Sequence, residues 1–178
     1  MNRISNRQTA LKPQDLMVVL KLFVLSGKST TYSELGETLG MSPSEVHASV
    51  GRATSSHLMS IRDERPVVVK AALAEFLLHG AKYAFPVTLG SPTRGVPTGY
   101  AAAPLVARIS QPNELPPVWP DPHGERRGIA FYPLYPTAPF AAKKDHALYE
   151  LLALFDALRG GAARERQLAT QLVSERLS

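Results

Sequence analysis

Seven residues between Ser42 and Ser55 carry the most chemistry in this chain. Ser42, Ser44, Glu45, His47, Ala48, Arg52 and Ser55 share one side of a segment whose other side repeats Val46, Val50 and Ala53 at helical spacing. Small hydroxyls, an imidazole and a guanidinium on one helix face suit contact with base edges and phosphates. A helix that only meets water more often carries Lys and Glu four residues apart, and this face is short of such pairs. A capped helical hairpin inside any small helical domain could present the same local pattern, so the face alone does not decide the matter.

A second group invites anion chemistry. Gly90-Ser91-Pro92-Thr93-Arg94-Gly95-Val96-Pro97-Thr98 offers the Thr93 and Thr98 hydroxyls and the Arg94 guanidinium to an effector or a partner protein. It lacks the Gly-Lys-Ser/Thr ending of a nucleotide-binding loop, and a turn with a solvated arginine accounts for the same residues. Arg126-Arg127 forms a further basic pair beside an expected turn. The five histidines, His47, His57, His79, His123 and His146, show no zinc-motif spacing. There is no cysteine, no Gly-x-Ser-x-Gly elbow and no cluster of carboxylates. The expectation is a protein without metal or cofactor, and not an enzyme.

Local capping signals set the elements that position the first group. Tyr32 to Leu39 reads as a short helix opened by Thr31 and closed by Gly40. Ser42, Pro43 and Glu45 then form an N-cap, a first helical position and a capping box, so a second helix starts almost at once. Two helices joined by so few residues, with a Gly between them, form a helix-turn-helix pattern. Pro13 and Asp15 open an earlier helix whose run through Leu25 is apolar nearly all round, which predicts a buried core helix stopped by Gly27. Met59 to Val69 holds two short β-prone pieces around a charged tip, with Pro66 limiting them to an edge hairpin.

Helix, helix-turn-helix and hairpin follow one another in the winged helix-turn-helix order. On these residues, 12–70 resemble the winged helix-turn-helix domain of MarR and related bacterial transcriptional regulators, over about a third of the chain. The resemblance implies that the helix from Ser42 to about Ser56 is a recognition helix for the major groove. It also implies that Arg62 and Arg65 sit on the wing near phosphates or the minor groove. The short wing carries Asp63-Glu64, which would repel phosphate. Arg3 and Arg7, in the polar lead-in, are placed to reach a phosphate backbone.

Composition agrees with a polyanionic partner without demanding one. The 178 residues carry a formal charge of +5, with a pI near 9.6. Residues 1–80 hold nine Lys/Arg against seven Asp/Glu, 81–144 hold seven against three, and 145–178 hold four against five. No apolar run approaches the roughly 20 residues that span a bilayer, and the amino terminus lacks a signal-peptide core, so a soluble cytoplasmic protein is expected.

Residues 67–84 read as an Ala-rich helix ended by Pro86. Twelve of the fifteen prolines then fall within 86–140, which argues against long helices and central strands. That stretch keeps Tyr100, Trp119, Phe131, Tyr135 and Phe140, so an ordered, irregular segment laid over helices is expected, with short strands near Gly128–Pro133. Asp145 caps a helix with an apolar stripe from Leu148 to Leu158, and a last helix runs from about Ala163 to Leu177. The fold class is mainly α, with a winged helix-turn-helix unit at 12–84 and a Pro-rich wrapping segment plus C-terminal helical pair at 85–178. The expected function is a dimeric, sequence-specific repressor that binds double-stranded DNA. The alternative is an antitoxin-like module that binds a partner protein and regulates its own operon.

Overall fold

The computed structural model describes residues 10–110 and 114–178; Arg3 and Arg7 lie outside them. The chain is helix-rich, with a few strands in two small sheets. Helix α1 (Pro13–Leu25) runs through the core, and every residue from Leu16 to Leu20 is fully buried. It is wrapped by α2 (Tyr32–Leu39) and α3 (Pro43–Ser55). Thr31 and Ser42 cap them as their sequence predicts: each hydroxyl accepts the N–H three residues on, and Glu34 and Glu45 reach back to the capping residues. Gly40 takes a left-handed φ of 67° to close α2. Gly36 is required for a different reason: a Cβ there would overlap the Met41 carbonyl oxygen of the turn, which lets α3 start so close to α2.

The charged tip forms a two-stranded antiparallel hairpin, β1 (Met59–Arg62) and β2 (Arg65–Val68), with Arg62 opposite Arg65. Asp63 and Glu64 both have positive φ, the conformation a two-residue hairpin loop needs to match the twist of its strands. The helical stretch expected from Val67 instead begins after the hairpin. It comprises α4 (Lys70–Glu75), one wide π turn (Phe76–Gly80) and α5 (Ala81–Ala84). Gly80 leaves room for the Phe76 ring against its own backbone at that turn.

The Pro-rich stretch differs most from its expected form. The sequence allows Gly90–Thr98 either an anion-binding loop or a turn, but Leu89–Pro97 is a nine-residue strand, β3. It pairs antiparallel with both β4 (Pro117–Pro120) and β5 (Arg126–Phe131), and β4 pairs parallel with β5, closing a three-stranded barrel. Prolines are tolerated because the ladder shifts register between Leu89 and Pro92, and Pro97 stands at the strand's end. The barrel is so tight that a Cβ on Gly124 would overlap the Gly95 backbone. A short helix, α6 (Ala138–Lys144), follows, absent from the sequence expectation, with Pro139 in its first turn. The terminal pair comprises α7 (His146–Gly160) and α8 (Ala163–Leu177). One hydrophobic core runs from Leu16 through Trp119 and Phe155 to Leu177, shared by the stretches before and after residue 84.

A buried polar hub fastens the barrel to α7. Asp156 is fully buried, and one carboxylate oxygen accepts from the Thr98 hydroxyl and the Trp119 indole N–H, each at 2.6 Å. The other accepts from Arg159 Nε at 2.8 Å. Arg159 also donates to the Tyr132 carbonyl and lies over the Phe131 and Phe155 rings. Burial pushes the Asp156 carboxyl up from its ordinary range, while Arg159 and the two other donors oppose it.

Candidate nucleic-acid interface

Helix α3 is set by its buried side. Val46, Ser49, Val50 and Ala53 pack inward, so Ser42, Ser44, Glu45, His47, Ala48 and Ser55 are exposed. Gly51, also exposed, adds open space where a Cβ would meet nothing within 4 Å. The exposed row is not covered by the Pro-rich segment. Among the described residues, that segment meets the start of the helix, where Phe140 and Thr137 pack beside Gly40 and the Tyr135 phenol interacts with Glu45. Burial and the neighbouring Glu45 charge push the Tyr135 phenol up.

Not every residue of the row is free to read a partner. Glu45 is exposed, but its carboxylate accepts from the Ser42 N–H and hydroxyl, both at 2.8 Å. Those two bonds hold its pKa below the ordinary carboxylate value. It is a cap first, and as an anion it repels phosphate. His47 meets the edge of Tyr32 on α2, with ring centroids 5.5 Å apart. Ser55 donates its hydroxyl to the Gly51 carbonyl of its own helix. Ser44 and Ala48 complete the row.

Arg52 is a correction. The sequence places it among the base-reading residues, but its guanidinium turns inward onto Asp15 of α1. Nε lies 2.9 Å and Nη2 2.6 Å from the carboxylate, and Nη2 also reaches Ser49 Oγ at 3.2 Å. The Asp15 side chain is fully buried, and Arg52 is 17% exposed. Hydrogen bonding to Asp15 raises the Arg52 pKa further. Arg52 therefore locks α3 onto α1. Asp15 itself was the overlooked signal: one acid in a helix apolar nearly all round needs a buried cation.

Arg62 and Arg65 stand exposed at the hairpin tip as expected, flanking Asp63 and Glu64. The anion site expected from Thr93, Arg94 and Thr98 does not form. Thr98 is fully buried and gives its hydroxyl to Asp156, itself a carboxylate; Thr93 donates to the Arg94 backbone carbonyl. Arg94 alone faces outward, directly opposite Arg127 on β5. No group of three or more His, Cys, Asp or Glu residues that could hold a metal ion occurs among the described residues. No helix among them is long and apolar enough to cross a membrane. No family model, curated protein or solved structure matches the chain.

Proposed function

We propose that the protein is a sequence-specific DNA-binding transcriptional regulator of winged helix-turn-helix type, acting as a cytoplasmic dimeric repressor without metal or cofactor and not as an enzyme. The open outward row of α3 carries this reading: Ser44, His47, Ala48 and Gly51 are exposed on a helix rigidly held from its other side. Small side chains there let the helix approach base edges closely. In this reading Arg62 and Arg65 contact phosphates, and a twofold pair of chains presents two α3 helices to two half-sites.

The test is enrichment of duplexes from a random pool, followed by a gel-shift titration of the winner. Ser44→Glu, which puts a second anion beside Glu45, is expected to weaken binding by about 1–3 kcal/mol. Affinity is expected to fall steeply with salt, since each neutralised phosphate releases counterion. Failure to enrich any sequence would end this reading.

A second reading has its own observation. Tyr83, Leu89 and Tyr132 are 75%, 60% and 50% exposed. Leu89 pairs with Phe131, next to Tyr132, at one end of the barrel. Leu89 and Tyr132, exposed together at that end, suit a partner protein, as an antitoxin-like module would need. Purification of the full chain always alone from its native cell would count against it.

A further inference from the structure

Two arginines meet on the outside of the barrel without an acid between them. Arg94 of β3 is the direct cross-strand partner of Arg127 of β5, and both are exposed. Neither makes an ion pair among the described residues. Like charges directly opposite in a strand pair destabilise it, so this register weakens the barrel. The nearby acids do not relieve it. The Asp121 N–H donates to the Arg94 carbonyl at 3.2 Å. The Asp121 carboxylate, however, is taken by Lys143 Nζ at 2.5 Å and by the His123 N–H at 2.8 Å. Those bonds hold it below the ordinary carboxylate range. Glu125 is adjacent in sequence to Arg126 and offsets that third arginine. The strand positions around the pair include Thr93, Gly95 and Gly128. A Cβ on Gly95 would overlap the Trp119 carbonyl, and one on Gly128 the Pro116 carbonyl. The two guanidiniums therefore stand on a surface of small residues.

We propose that the Arg94–Arg127 pair grips the phosphates of a nucleic-acid duplex, a sequence-independent contact on the barrel and outside residues 12–70. A planar guanidinium matches phosphate oxygens two at a time, and a phosphate between the two arginines removes their repulsion. A protein partner fits less well. The core of a protein interface needs a large apolar or aromatic anchor, and none of the strand positions around the pair exposes one. Leu89 and Tyr132, which are exposed, lie at the other end of the ribbon. A single strand needs aromatic rings to stack its bases, and the same absence argues against it. Contacts through α6 link the pair to the α2–α3 turn. Phe140 packs beside Gly40, Lys144 donates to the Glu37 carbonyl, and Lys143 holds Asp121 beside Arg94. The pair would thus hold backbone flanking the half-site that α3 reads. That last clause rests on the regulator reading; the phosphate contact does not.

The experiment uses the full chain, a fluorescein-labelled DNA duplex of arbitrary sequence and fluorescence polarisation across a salt titration. Arg94→Gln/Arg127→Gln is expected to weaken binding by about tenfold and to lower the salt slope by about two, one for each phosphate released. Arg94→Lys/Arg127→Lys keeps both charges and should keep the slope. Arg94→Glu gives Arg127 an opposite charge across the ladder. It is expected to melt above wild type while binding the duplex more weakly than Arg94→Gln, a gain in fold with a loss in function. Equal affinity and slope in wild type and Arg94→Gln/Arg127→Gln would overturn the proposal. So would an Arg94→Glu chain that melts no higher than wild type, since the repulsion would then be absent. Poly-L-glutamate serves as the second probe. Loss of its binding with the duplex untouched would assign the pair to an acidic protein and overturn the proposal as well. A chain that enriches no sequence but loses the arbitrary duplex in Arg94→Gln/Arg127→Gln keeps the barrel contact and refutes the regulator reading. Where a sequence does enrich, an equal loss on the enriched and the arbitrary duplex is expected. Loss on the arbitrary duplex alone would refute the flanking clause.

Discussion

Residues 12–69 and the described part of residues 86–137 reach order by opposite routes. In the first stretch each element announces its own ends: Thr31 and Ser42 cap helices, Gly40 closes one, and the Asp63-Glu64 tip turns the hairpin. In the second, no local signal would make Leu89–Pro97 a strand; it carries two glycines and two prolines. It becomes one because β4 and β5 flank it and Asp156, from α7, ties Thr98 and Trp119 together. Local order survives the loss of one contact. Order imposed from elsewhere in the chain depends on its few long-range ties.

The largest expected effect follows from that dependence. Asp156→Ala leaves the Arg159 charge buried without its counter-ion, and the Thr98 hydroxyl and the Trp119 N–H without their acceptor. Removing one partner of such a pair costs about 3–5 kcal/mol. Trp119, the only tryptophan, reports on the barrel directly, so its fluorescence in a urea titration measures the loss. Asp156→Asn, which keeps an acceptor, should lose less. Equal midpoints for Asp156→Ala and wild type would show that the barrel does not need α7. Because one core joins the two stretches, Trp119 fluorescence and far-UV circular dichroism should also report one coincident transition.

Arg52→Ala comes next and brings the first stretch its own long-range tie. It strands the fully buried Asp15 carboxylate. Because Arg52 is partly exposed, the cost should sit at the lower end for a buried pair, about 3 kcal/mol. The measurement is the same urea titration, and Arg52→Lys should recover only part of the loss, since Lys lacks the two-pronged geometry. A large fall in duplex affinity at a temperature where the variant is fully folded would instead return Arg52 to the reading face.

These two acids mark where the sequence was legible and where it was not. Periodicity and caps are local, so the boundaries of α2 and α3, the hairpin, the Asp145 cap and the last helix were readable from the chain. The barrel was not: strand pairing between residue 94 and residue 127 has no short-range signature when prolines interrupt the alternation. Nor was the fate of Arg52, Thr98 and Asp156, since helical spacing assigns a face but not the partner a long side chain will reach. Asp15, the one acid in an apolar helix, was the available clue that a cation must come from elsewhere. Asp156, on the apolar stripe of α7 with Arg159 three residues on, was the clue to a buried polar group. Of the α3 row, Ser42, Ser44, Glu45, His47, Ala48 and Ser55 were placed outward correctly because neighbours in sequence decide that.

Smaller losses should follow from the local signals. Ser42→Ala removes the α3 cap and should cost about 1 kcal/mol. The loss is read from thermal melting. Acid should act on the same caps. Glu34 and Glu45 have folded pKa values held below the ordinary value by their capping bonds. Their contribution is therefore complete above the unfolded carboxylate pKa and disappears as pH falls through the lower folded values. In Ser42→Ala, Glu45 loses the bond to the hydroxyl and keeps the one to the backbone N–H, so the acid-induced fall in melting temperature should be shallower than in wild type. An identical acid limb in both would mean that the capping carboxylate contributes nothing measurable.

The smallest effect on stability is the most telling for function. His47→Ala removes an exposed imidazole that meets the Tyr32 ring, and surface changes of this kind stay within about 0.5 kcal/mol. If α3 reads bases, the same substitution should weaken the enriched duplex by about 1–3 kcal/mol and relax preference at one position. Arg62→Ala, by contrast, should weaken all duplexes alike and lower the salt slope by about one. Position-specific loss at His47 beside uniform loss at Arg62 would separate a base-reading helix from a phosphate-gripping hairpin. Uniform loss at both would mean that α3 only grips the backbone, and a small exposed face backed by the Asp15–Arg52 tie would then have no sequence to read.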